Sequence, residues 1–301
     1  MWLYLGIVSA VFLGLYDVCK KHSLKENAVI PVLFFSSATG TAMVLPIIIL
    51  SAAAPDAMRG IGLFTPPMTS WTHCLVFLKA LMVCSSWISA YFAMKHLPIS
   101  VVSPIRASGP FWTIVGALLI FHECLSLGQW AGIALIIGSY LWLSLESNKE
   151  GIAFHRNKWI LLMFLAAALG AVCSLYDKYL LQVANLPPVG LQAWFSLYML
   201  LIVAAILLLL WWPQRRRSTP FVWRWTIPMI GILLILADFA YFRSLADNNA
   251  LIIVLSTIRR SSVVLSFVVG GLLFSDVNRR RKGLALLGVL AGVLLVLLAK
   301  H

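Results

Sequence analysis

The stretch Ile99–Glu123, ISVVSPIRASGPFWTIVGALLIFHE, aligns without a gap to Ile252–Asp276, IIVLSTIRRSSVVLSFVVGGLLFSD. Ser103 falls on Ser256, Arg106 on Arg259, and Glu123 on Asp276. Each segment is an apolar run of about the length that crosses a bilayer as a helix, roughly 20 residues. Each also keeps a permanent cation inside that run. Apolar helices resemble one another by chance, but two further matches occur in the same order. Leu15-Tyr16-Asp17 recurs as Leu175-Tyr176-Asp177, and AYFAMKHLP from Ala90 recurs as AYFRSLADN from Ala240. The chain therefore reads as an internal duplication.

Working outward, apolar runs cover Trp2–Cys19, Val29–Ser51, Trp71–Met94, Ile99–Phe121 and Leu127–Leu145. After the polar break ESNKEGIAFHRNK come Trp159–Leu181, Val189–Trp212, Val222–Leu245, Leu251–Phe274 and Gly283–Ala299. Backbone polar groups find no partner in lipid, so runs of this kind are helices. The expected fold is an all-α integral membrane protein with about ten transmembrane helices. Residues 1–147 form one five-helix repeat, 148–158 a polar linker, and 159–301 a second repeat. Five is an odd number, so the second copy enters the membrane upside down. Inverted repeats of this kind place a substrate site near the midplane of secondary transporters.

Composition supports the membrane. Of the 301 residues 61% are hydrophobic and 11% charged, and the mean hydropathy is +0.95. Soluble domains carry about 25% charged residues, and so few charges would not cover a water-facing surface. The net charge of +13 would suggest nucleic acid in a soluble chain. Here no soluble domain carries it, and the cations sit mostly between apolar runs. The five cysteines include no C-x-x-C pair, and no H-E-x-x-H occurs among the six histidines. No metal, cofactor or disulfide framework is expected, and no nucleophile–base constellation marks an enzyme. The first run lacks the basic region and cleavage site of a signal peptide, so it is expected to be retained.

Ionisable groups inside membrane helices cost about 2.5–3.5 kcal/mol at the centre, and each needs a reason. The deepest are Lys79, Arg106, Asp238, Arg259 and Arg260, with Asp17 and Asp177 nearer helix ends. Arg106 shares a helical stripe with Ser103, Pro110 and Thr113, and Pro104 and Pro110 free backbone carbonyls beside it. Ser256 precedes Arg259 and Arg260 on one helix face. A guanidinium presents a planar fork matched to carboxylate or phosphate. Lys79 opens a stripe with Val83, Ser86, Trp87, Ala90 and Tyr91, and either meets an anion or pairs with Asp238. Substrate contacts are therefore expected from Arg106, Arg259, Arg260, Lys79, Trp87, Tyr91, Ser103 and Ser256. Asp17, Asp177 and Asp238 are expected as counter-charges or proton carriers.

LLIFHECLSLGQWAGIALIIGSYLWL, from Leu118, carries an acid after the fourth helix and then Leu-x-x-x-Gln-Trp-x-Gly. With the duplication, the chain resembles the drug/metabolite transporter superfamily in its ten-helix EamA-like form. The second-half partner, LLFSDVNRRRKGLALLGVLAGVLLVLL, is looser, and His122-Glu123 stands where the family usually has Gly-Glu. Plastid phosphate translocators of this superfamily are similar in one respect: a basic residue on the fourth helix and a basic pair on the ninth hold the substrate's phosphate. That resemblance implies the same use for Arg106 and for Arg259-Arg260.

The expected protein is a secondary transporter that moves a small organic anion, phosphorylated cargo included, across the inner membrane by alternating access. A transporter of neutral amino acids or cationic drugs, with its arginines paired internally, is the first alternative. A flippase or scramblase for membrane lipid is the second. A second copy of the chain is admitted as a partner, giving a homodimer. Basic residues crowd the odd-numbered connections, among them Lys20, Lys25, Lys95, Arg215 and Arg224. By the positive-inside rule those connections are cytoplasmic and both termini lie outside, whereas the family resemblance implies termini inside.

Overall fold

In the computed structural model the residues described are 1–96, 105, 109–146, 158–215, 219–262, 265 and 279–299. Arg106, Ser103 and Asp276 lie outside them, as does most of the 148–158 linker, and so does the side chain of Tyr91.

Among the described residues the apolar runs form helices: α1 Trp2–Leu24, α2 Val29–Ala53, short α3 Pro55–Gly60, and α4 Ser70–His96. Then follow α5 Gly109–Ile120, α6 Leu127–Glu146, α7 Lys158–Lys178, α8 Pro188–Ile206, α9 Thr226–Leu245, α10 Ile252–Arg260 and α11 Arg279–Leu298. Among the described residues six are long and apolar enough to cross a membrane. Helices α7 and α8 each continue into a π turn, Tyr179–Val183 and Leu207–Trp211. The chain forms two compact units, Met1–Cys84 with Asp177–Asn248, and Ser85–Tyr176 with Asn249–His301. Each therefore draws on both halves of the sequence.

In the first unit α1 packs along α9, and α2 packs on α8 and α9. Lipid gives no hydrophobic drive between helices, so small residues and interhelical hydrogen bonds must hold them. Ser9 donates to the Ala237 carbonyl at 2.7 Å and Ser244 to that of Trp2 at 2.7 Å. Thr41 donates to the Ser196 carbonyl at 3.0 Å. Where α2 meets α9, a Cβ on Gly231 would stand 2.2 Å from the Ser36 carbonyl oxygen and 2.9 Å from the Gly40 nitrogen. Only glycine permits that approach. At the end of α1, Asn27 donates to the carbonyls of Ser23 and Val222 and accepts from the N–H groups of Val222 and Ala28. Its amide is thus fully used, joining the α1–α2 turn to the segment leading into α9.

In the second unit α6 packs on α11 and α5 on α10. Gly132 meets Gly292, and a Cβ on either would stand 2.8 Å from the other's carbonyl oxygen; along the same contact Gly128 lies against Ala299 and Gly288 against Ser139. The end of α4 meets the start of α7, where Ser86 donates to the Ala166 carbonyl at 2.9 Å. Ala93, Ile105, Ile160 and Met163 pack there. The Gln-Trp-x-Gly motif now has a physical reading. Ser126 and Gln129 close a reciprocal capping box at the start of α6, at 3.0 and 3.3 Å, and Gly132 admits α11.

Candidate functional site

Lys79 lies nine residues into α4, about 14 Å from its start at 1.5 Å per residue. It is 2% exposed. A lysine so buried needs a counter-charge, because desolvating an ion costs several kcal/mol. The counter-charge is the carboxylate of Asp177 at the end of α7. The rings of Phe195 on α8 and Phe242 on α9 complete the surround, their centroids 4.6 and 4.2 Å from the ammonium. A cation over an aromatic face gains further when water is absent. The sequence weighed Asp238 as the partner of Lys79; the carboxylate actually brought to the ammonium is that of Asp177. Asp177 belongs to the repeated Leu-Tyr-Asp motif, so the duplication had already singled it out.

The other acids sit differently. Asp17 on α1 and Asp238 on α9 are half-buried on helices that pack together. Lys20, one turn after Asp17 on α1, has its ammonium 5.3 Å from the centre of the Tyr16 ring. Trp87 is half-buried on α4.

The arginine pair is carried by α10. Ile252, Ile253, Val254, Leu255, Thr257 and Ile258 are buried, whereas Ser256, Arg259 and Arg260 keep part of their surface exposed. Both arginines occupy the last turn, where the helix dipole favours a cation. The Arg260 guanidinium lies against α5, with a nitrogen 3.0 Å from the position a Cβ on Gly109 would take. Gly109 is thus the gap that receives it. The Ser256 hydroxyl donates to the Ile253 carbonyl at 3.0 Å. Arg106 and Ser103, expected beside this pair, lie outside the described residues.

Two arrangements were missed by the sequence. Glu123, read there as a family mark, is buried, and its carboxylate accepts from the N–H groups of Ile252 and Ile253 at 2.7 and 3.1 Å. A signal did exist: α10 begins after Leu251 with no side-chain cap, and a buried helix end without one needs an acceptor from elsewhere. The second is an aromatic cluster in the first unit. The His73 ring stands edge-on to Trp194 at 4.4 Å and its Nδ1 bonds the Tyr198 hydroxyl at 3.0 Å, with Phe77 against Tyr198. Among the described residues no three His, Cys, Asp or Glu side chains gather as metal ligands would.

The model of the EamA-like transporter family matches residues 1–145. A protein of known crystal structure superposes on 99% of this chain and 98% of its own, with a TM-score of 0.71 and 16% identity. A likeness at that identity shows the fold alone. No curated protein matches the chain.

Proposed function

We propose that the chain, whose residues 1–145 match the EamA-like transporter family, is a transporter of that family and that its cargo is a small organic anion, phosphorylated compounds included. It is a multi-pass membrane transporter of small molecules. The proposed mechanism is alternating access between two inverted five-helix repeats, residues 1–147 and 159–301, in the inner membrane.

The observation that supports an anionic cargo is the Arg259–Arg260 pair. Six of the nine residues of α10 are buried, whereas Arg259 and Arg260 are half-buried. A guanidinium is always charged and offers a planar fork to carboxylate or phosphate oxygens. Ser256, one turn earlier, adds a hydroxyl on the same helix. Arg106 is proposed as the third cation, by its alignment with Arg259. Lys79 takes a different part, since Asp177 already neutralises it. In this reading Lys79 and Asp177 form a buried charge pair inside the first unit, with Asp17 and Asp238 as further counter-charges or proton carriers.

Thermal stabilisation of the purified protein in lipid vesicles tests the class of cargo. A ligand that binds the folded state raises stability in proportion to RT ln(1 + [L]/Kd). Inorganic phosphate, phosphate monoesters and small carboxylates should stabilise; amino acids, cationic dyes and lipids should not. Stabilisation by cations alone would overturn the proposal. A carrier of neutral amino acids or cationic drugs is the second reading, favoured by the Lys79–Asp177 pair, which shows one deep cation already matched inside the protein.

A further inference from the structure

Helices α5 and α10 run antiparallel and are held at both ends. At one end Glu123, just beyond α5, places one carboxylate oxygen on each of two amides, Ile252 at 2.7 Å and Ile253 at 3.1 Å. These are two of the donors that a helix start leaves without intrahelical partners. Glu123 is 6% exposed, and His122 before it adopts a left-handed conformation, with φ 50°. That costs energy in a residue with a Cβ, and the turn it makes follows the end of α5 at once. At the other end the Arg260 guanidinium rests on Gly109.

We propose that Glu123 is a positioning residue for the arginine pair. It fixes the first turn of α10 to the end of α5, and so sets where Arg259 and Arg260 stand two turns later, about 11–12 Å along the axis. A serine at the N-cap would satisfy amides locally but would leave α10 free to slide against α5. Two oxygens on two successive amides fix both the height and the rotation of the helix. The functional weight of this role rests on the anion reading of the pair above; its geometry does not.

The test is the labelling rate of Ser261→Cys, beside Arg260 and partly exposed, in a background with the five native cysteines replaced. A membrane-impermeant thiol reagent is the probe, and no cargo is needed. With Glu123→Ala the rate should change by about fivefold, the population shift that a lost cap of ordinary strength permits. Glu123→Gln keeps one acceptor oxygen and should change it less. Thr257→Val, which removes only a hydrogen bond inside α10, should leave the rate where it was. An unchanged rate in folded Glu123→Ala protein would overturn the proposal; should that variant not fold, an unchanged rate in Glu123→Gln does the same. A shifted rate in protein that no anion stabilises would remove the cargo reading and keep the positional one. Anion stabilisation with no shift would do the reverse.

Discussion

Lys79 and Asp177 form a buried ion pair between α4 and the end of α7, closed over by the rings of Phe195 and Phe242. Breaking one side of such a pair leaves an uncompensated charge, which costs about 3–5 kcal/mol. Lys79→Met and Asp177→Asn are each expected to lower the thermal unfolding temperature in detergent sharply. The double variant should be more stable than the sum of the two losses allows, because no charge is then stranded. Strictly additive losses would show that the two side chains do not depend on each other.

Close packing of α2 on α9 gives a second expectation. A methyl group on Gly231 meets the Ser36 carbonyl oxygen at 2.2 Å, and backbone does not yield as a flexible side chain does. Gly231→Ala should cost about 1–3 kcal/mol, the usual range for overpacking. Gly138→Ala on α6, where nothing lies within 4 Å, is the matched control and should not destabilise. Equal behaviour of the two variants would mean that the α2–α9 contact is not held at this spacing.

Orientation is a third. The positive-inside rule places the connection carrying Arg215 in the cytoplasm and the short helix carrying Arg59 outside. Both side chains are exposed, Arg215 over the Trp212 ring and Arg59 paired to Asp56 at 2.9 Å. In a cysteine-free background, Arg59→Cys should react with an impermeant maleimide in intact cells, and Arg215→Cys only after permeabilisation. The reverse pattern would put both termini inside, as the family resemblance implies.

How much of this was legible in sequence follows from the kind of interaction involved. Helices α1, α2, α4 and α7–α9 could be read directly, because lipid forces long apolar segments to satisfy their own backbone. Boundaries moved where polar residues continue a helix past its apolar core, as α4 runs on to His96. The importance of Asp177 was visible because the Leu-Tyr-Asp motif occurs twice. Its partner was not, because Lys79 lies 98 residues away and pattern alone gives no distance between helices. Asp238, on a helix with a polar residue in a similar setting, was an equally good guess on paper. The role of Glu123 was hidden for a related reason. A remote cap leaves no local motif at the helix it serves, only the lack of one before Ile252. Gly132, by contrast, was conspicuous within Gln-Trp-x-Gly, yet its purpose needed the facing Gly292 to become clear.

The central claim is that Arg259 and Arg260 meet an anionic cargo. The most direct measurement is uptake of radiolabelled inorganic phosphate, phosphate monoesters or small carboxylates into vesicles containing the purified protein. The account predicts uptake of at least one of these, reduced about tenfold to a hundredfold by Arg259→Ala or Arg260→Ala, the loss expected for a hydrogen bond to a charged group. Lysine at either position should restore part of it, keeping the charge without the fork. Uptake that survives both alanine substitutions in folded protein, or a cargo that proves cationic, would contradict it.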